Sequence, residues 1–256
     1  MKNATILVLA SKDCQTSTLE PLIELARADD LHLAVVVMNL TPQLPVYSYG
    51  FSPYSPPVFP DAWQEEFLSN AEAISKKVQE IEALFENEAI LGNVTAINCE
   101  TSLMADAVAE RAMVSDLCVV TPDLRAAADI FTPAIHSVLF RSPIAVLING
   151  AQNDAAVKPE RVFVAWKDGL PSARAVRQAL PMLSRAQEVT IAIFDPVMTE
   201  QRDGENPGSD VAEWLSHHGC KVDVKQYPSG GKEIGDCIIE RATEIGADLV
   251  VMGAYG

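Results

Sequence analysis

The sequence predicts an α/β fold of two tandem doubly wound domains, each a parallel sheet with helices on both faces. Three observations carry this. Short continuous apolar runs alternate with segments of helical spacing, the series restarts midway, and a stretch of the first half returns in the second. Strands that read as unbroken apolar runs belong to sheets covered on both faces. Their alternation with helices over short connections favours right-handed βαβ crossovers.

In the first half, residues 5–10 (TILVLA) form a strand, 19–28 a helix and 33–38 (LAVVVM) a second strand. Trp63, Phe67, Ile74, Val78, Ile81 and Phe85 recur at helical spacing and mark one buried face, with Pro60-Asp61 as the helix start. Residues 94–98 are a third strand, 103–113 a helix and 117–120 a fourth strand. After a weaker helical stretch, 144–148 is a fifth. Residues 149–159 are polar and aperiodic, a linker between domains at 1–150 and 160–256. Strands follow at 161–166, 189–194, 221–226 and 249–252. Helices lie between them at 171–183, at 210–218 with Gly219 past the end, and at 231–245.

The halves align directly. Asp106-Ala-Val-Ala-Glu110-Arg111-Ala112 matches Asp236-Cys-Ile-Ile-Glu240-Arg241-Ala242, and each is followed by an Asp-Leu strand, at Asp116-Leu117 and Asp248-Leu249. That is an internal repeat. Thr121 to Gly150 follow the fourth strand in the first half, but only Gly253 to Gly256 follow it in the second. The second domain is therefore expected to lack its last helix and strand, and the sequence to be a shortened one. Between the second strand and the long helix, residues 41–60 are rich in Pro, Tyr and Phe. They read as a surface excursion over the sheet end, or as a lid or docking segment.

Nineteen Lys+Arg against 35 Asp+Glu give a formal charge of −16 over 256 residues, so neither nucleic acid nor an anionic membrane is an expected partner. No apolar stretch is long enough to span a bilayer, and a lone Lys before the first strand does not make a signal peptide. Cys14, Cys99, Cys118, Cys220 and Cys237 contain no CxxC pair, so neither a disulfide framework nor a zinc site is expected. Cys118 and Cys237 read as small core residues. A reducing cytoplasm fits this usage.

In open parallel sheets ligands sit at the carboxyl ends of the strands, where strand order reverses. In the second half the relevant loops are Trp166-Lys167-Asp168-Gly169 and Met252-Gly253-Ala254-Tyr255-Gly256. Two glycines three apart after a buried strand let backbone N–H groups approach an anion. Ser229-Gly230-Gly231-Lys232, before the predicted helix at 231–245, reads as a cap or an anion contact through Gly230 and Gly231.

Residues 162–183 (VFVAWKDGLPSARAVRQALPML), 228–235 (PSGGKEIG) and 247–256 (ADLVVMGAYG) together resemble the universal stress protein family in tandem form. The resemblance implies the adenine nucleotide alpha hydrolase-like fold with strand order 3-2-1-4-5, a pseudo-dimer within the chain, and homodimers in some members. Some members of the family bind ATP or a related nucleotide such as AMP. Others bind none and act as dimeric stress-response proteins. In binders an acid after the first strand and the end of the second strand hold ribose and adenine, and Gly-x-x-Gly, nine residues, then Gly-Ser/Thr hold the phosphates.

On that pattern the nucleotide-binding candidates are Ala165, Trp166, Lys167, Asp168, Ile193, Phe194, Met252, Gly253 and Gly256. With Ser172 placed on the family's helix serine, Lys167 stands at the acid position and Asp168 one place later. Lys167 can meet a phosphate but accepts no bond from a ribose. In the first half Ser11 stands near the acid, Thr121 and Leu124 replace both glycines, and Thr132, Pro133 and Ile135 fall near the later phosphate positions. Pro has no N–H to offer and Ile no hydrogen bond, so the first half is not an expected nucleotide site. No GxSxG and no acidic pair beside a nucleophile appears, and His32, His136 and His217-His218 lack ligand-spaced companions. The chain is therefore expected to be a binder rather than an enzyme and to hold no metal. A scaffold that binds no nucleotide is the alternative, and a weak ATPase the third reading.

Overall fold

The computed structural model describes residues 2–43, 59–149, 159–199 and 205–254. Most of the Pro- and aromatic-rich excursion, most of the linker, and Tyr255 and Gly256 lie outside them. The chain forms two compact units, one holding Lys2–Gln152 and the other Asn153–Gly256.

The first unit has five strands, β1 (Thr5–Ser11), β2 (His32–Leu40), β3 (Gly92–Cys99), β4 (Leu117–Val120) and β5 (Ala145–Ile148). They lie in the order β3-β2-β1-β4-β5, and every neighbouring pair is parallel. Its helices are α1 (Glu20–Asp29, after a 3-10 turn), α2 (Asp61–Glu88), α3 (Thr101–Ala112), α4 (Pro122–Ala126) and α5 (Ala128–Arg141). Alternate strand residues face opposite ways. Leu7, Leu9, Met38, Cys118 and Val120 therefore pack together against Met104 and Val108 of α3 and Ala134 and Val138 of α5. Ile6, Val8, Val35 and Val37 are buried on the other side, where α2 packs on β2 and β3 and buries Ile74, Ile81 and Phe85. Each such buried side chain contributes about 1.5–3 kcal/mol. Trp63 of α2 stacks between Phe59 and Phe67, and its indole N–H donates to the Pro42 carbonyl, joining the end of β2 to the start of α2.

The second unit has β6 (Arg161–Ala165), β7 (Glu188–Phe194), β8 (Val222–Tyr227) and β9 (Leu249–Met252), parallel and in the order β8-β7-β6-β9. That is the first unit's order without its outer strand. Its helices are α6 (Leu170–Leu183), α7 (Ser209–His217) and α8 (Ile234–Glu244). Val162, Val164, Ile191, Ile193 and Val251 pack with Val176 of α6 and Leu215 of α7. Phe163 and Ala192 pack with Ile238 and Ala242 of α8 on the opposite face.

Strand register makes the repeat residue-specific. Ile6 pairs with Leu117 and Leu9 with Val120, while Val162 pairs with Leu249 and Ala165 with Met252. The shared Asp has one structural task in both units. Asp116 accepts the Thr5 N–H at 2.7 Å, and Asp248 accepts the equivalent Arg161 N–H at 3.0 Å and that of Glu160 at 2.7 Å. Each ties the start of the fourth strand to the start of the first.

One element differs from expectation. The helix predicted at 231–245 begins at Ile234, because Gly230 (φ 62°) and Gly231 (φ 82°) are left-handed and form a turn instead.

Candidate functional site

β6 lies between β7 and β9, so chain order reverses across the β6–β9 pair, and the crevice past their carboxyl ends is the switch point of the second unit. The structure brings Ala165, Trp166, Lys167, Asp168, Met252 and Gly253 together there. Ala165 pairs with Met252 on one side and Ala192 on the other. The strand ends at Ala165, but the Trp166 N–H still donates to the Ala192 carbonyl at 2.9 Å. The Trp166 ring packs against the α6–α7 core, and its Nε1–H donates to Asp168 Oδ1 at 2.8 Å. Asp168 is exposed and one of its oxygens is held by this bond. Lys167 is exposed and makes no ion pair among the described residues.

Gly253 has a structural reason to be glycine. A Cβ there would lie 2.8 Å from the Ser172 nitrogen and 2.9 Å from the Pro171 carbonyl carbon, both backbone atoms in the first turn of α6. The loop after β9 therefore runs against the amino end of α6. Gly169 caps that end without a side chain, and Pro171 contributes no N–H, which leaves the Leu170 and Ser172 amides at the positive end of the helix dipole.

Of the predicted contacts, Ile193, Gly230 and Gly231 are placed otherwise, while Phe194 stays on the face of Ala165. Ile193 is buried against α7, where the Gly208 cap reaches its side chain, so it belongs to the core and not to a pocket wall. Phe194 faces the opposite side and stacks on Tyr227 at 5.7 Å. Gly230 and Gly231 stand apart in the turn before α8. The Ser229 N–H donates to Asp195 Oδ1 at 2.9 Å, the Gly231 N–H to Ser229 Oγ at 3.2 Å, and the Lys232 ammonium pairs with Glu240 at 2.8 Å. With those donors taken, the segment is a turn tied to the end of β7 rather than the amino end of a helix. The bonds from Ser229 hold the Asp195 carboxyl below its usual range. Gly256 lies outside the described residues.

The first unit is built differently at the same place. Register puts Thr121 where the second unit has Gly253, and it is fully buried, with its Oγ1 and N–H both donating to the Leu9 carbonyl at 3.0 Å. The Ser11 N–H donates to Asp123 Oδ2 at 2.7 Å, and the Asp13 N–H to Ser11 Oγ at 3.1 Å. Beside them is an open cleft of about 640 Å³ that carries the Asp13 and Asp123 side chains. Two carboxylates and occupied amides repel a phosphate. Sequence reasoning missed Asp123; its signal is Pro122-Asp123 at a helix start, but its bond to Ser11 crosses the sheet. Burial, with Asp123 nearby, pushes the Cys14 thiol up to about 12, so it is protonated and unreactive at neutral pH. Among the described residues no group of three His, Cys, Asp or Glu side chains is arranged to hold a metal, and no helix is long and apolar enough to cross a membrane.

No family model and no curated protein matches the sequence. Among solved structures, the chain is similar to a universal stress protein from Archaeoglobus fulgidus, with 16% identity and a TM-score of 0.59 over 98% of this chain and 86% of that one. Partial likenesses extend to a universal stress protein family member from Burkholderia pseudomallei (18% identity, TM-score 0.32, 55% of this chain and 94% of that). A Mycobacterium tuberculosis protein also matches in part (24% identity, TM-score 0.31, 39% and 74%). The near full-length likeness and the 3-2-1-4-5 strand order agree with the motifs of the second half: the chain has the fold of the universal stress proteins.

Proposed function

We propose that the chain is a cytoplasmic stress-response protein of the universal stress protein type. In this reading it binds an adenine nucleotide, ATP or AMP, at the carboxyl ends of β6 and β9, without turning it over. The observation that carries the reading is the exposed Lys167, without an ion pair among the described residues, at the switch point of the second unit, beside a carboxylate that Trp166 holds in place. Lys167 meets the phosphate as a point charge, and the amides that open α6 add donors and a favourable dipole. The exposed Asp168 carboxylate accepts a ribose hydroxyl, the task that the acid one position earlier has in the family. Ala165 and Phe194, on one face of the sheet, form the apolar wall for the base. Five free cysteines support a reducing compartment.

The acidic cleft of the first unit favours a second reading, a scaffold that binds no nucleotide in either unit. Thermal unfolding with millimolar ATP or AMP, and mass spectrometry of the purified protein, separate the two. Nucleotide binding raises the melting temperature of the parent and does so less for Lys167→Ala; no shift in the parent leaves the scaffold. ATP hydrolysis that survives Lys167→Ala marks a contaminant.

A further inference from the structure

Charge is spread unevenly over the helices of this acidic chain. Among the α-helices of the described residues, α6 alone carries no carboxylate. It carries Arg174 and Arg177 instead, three residues apart and so on one face, and both are exposed. The Arg177 guanidinium lies over the Trp214 ring of α7, 5.0 Å from its centroid, and the His218 ring meets the same indole at 4.5 Å. Trp214 is half-buried, and neither arginine makes an ion pair among the described residues. Tryptophan and arginine are the side chains that anchor protein contacts. This surface is on the sheet face opposite α8 and includes no strand edge.

The first unit carries a surface of the opposite kind. α2 has eight carboxylates against two lysines, and its buried stripe is Ile74, Ile81 and Phe85. Away from that stripe Leu68 is 64% exposed. Glu65 stands three residues before it and Glu72 four after, so the three side chains share one face of the helix. Both glutamates are exposed and neither makes an ion pair among the described residues. An open leucine between two carboxylates is the chemical complement of an indole beside two guanidinium groups.

We propose that two copies of the chain associate through these surfaces, the Glu65–Leu68–Glu72 stripe of α2 in one copy lying on the α6–α7 face of the other. Leu68 packs on Trp214, and the two carboxylates meet Arg174 and Arg177. The apolar contact supplies affinity, while the charges steer the encounter and fix which helix faces which. Because the charges are exposed, salt weakens the association. The proposal is independent of the nucleotide reading, since it uses none of the residues assigned to the β6–β9 crevice.

The test is sedimentation velocity of the full chain over a wide concentration range, at low and high salt. Reversible, concentration-dependent association is expected at low salt and a weaker one at high salt. One variant carries Arg174→Glu with Arg177→Glu, and a second carries Glu65→Arg with Glu72→Arg. Each alone should associate about tenfold more weakly or worse, because like charges then face each other. An equimolar mixture of the two should associate as the parent does, since every α2 in the mixed pair again meets an α6 of opposite charge. Both variants should melt within about a degree or two of the parent, because all four side chains are exposed. Leu68→Ser, which leaves the charges in place, should weaken association about fivefold or more. A parent that stays monomeric at every concentration overturns the proposal. So does association that either charge-reversed variant or Leu68→Ser leaves unchanged, which would place the contact elsewhere, and so does a mixture that associates no better than its components.

Discussion

Alanine at Gly253 tests how tightly the loop after β9 is set against α6. The new Cβ would meet the Ser172 nitrogen at 2.8 Å, the Pro171 carbonyl carbon at 2.9 Å and the Pro171 Cβ at 3.0 Å. The two shortest contacts are to backbone, which cannot rotate aside, so β9 or the first turn of α6 must move by a few tenths of an ångström. Overpacking of this kind costs about 1–3 kcal/mol. In a unit of roughly 100 residues each kcal/mol moves the midpoint by about 4–8 °C, so a cost near 2 kcal/mol lowers melting of the second unit by about 8–16 °C. Calorimetry reads this directly, with Gly235→Ala as the control. A Cβ at Gly235 meets nothing within 4 Å, so that change should be neutral or stabilise by up to about 1 kcal/mol. If the two substitutions behave alike, or if Gly253→Ala melts with the parent, the packing argument is wrong.

The repeated aspartates should respond alike: Asp116→Asn and Asp248→Asn each lose a charge-assisted bond to a strand amide and about 1 kcal/mol in urea unfolding. The helix counterparts should not, since Met104→Ala empties a core site at about 2–5 kcal/mol, whereas Ile234→Ala on the open face costs under about 1 kcal/mol. Burial raises the thiols of Cys14, Cys99, Cys118 and Cys220 above the ordinary value of 9.0, with Cys14 reaching about 12. Folding therefore favours the protonated thiol. That contribution is complete below pH 9 and is lost as pH rises from 9 towards 12, so the urea midpoint should fall across this window and fall less steeply in Cys14→Ala.

The fold was legible because its signals are local. The unbroken apolar run Leu117–Val120 is a buried strand at its predicted bounds, and the spacing of Ile74, Ile81 and Phe85 is the buried stripe of α2. The repeated Asp-Leu led to the two-unit reading, and its side-chain task became clear only from the partner strand. Two of these placements are readable from the chain itself. Ile193 and Phe194 are consecutive on a strand and so face opposite ways, and a Gly-Gly pair favours a turn over a first helical turn. What the sequence could not carry is contact between distant segments: Gly253 against Pro171 and Ser172, Asp123 on Ser11, and Trp166 anchored in the α6–α7 core while its indole N–H holds Asp168. The glycine suggested an anion loop, and its closest neighbours turned out to be a helix.

The most direct test of the central claim is isothermal titration of AMP and ATP into the intact chain, with Lys167→Ala and Asp123→Asn alongside. The account predicts one site per chain that Lys167→Ala weakens about fivefold or more, the loss of a phosphate contact worth about 1 kcal/mol, and that Asp123→Asn leaves unchanged. Absence of binding by the parent, or affinity that follows Asp123 and ignores Lys167, would contradict it.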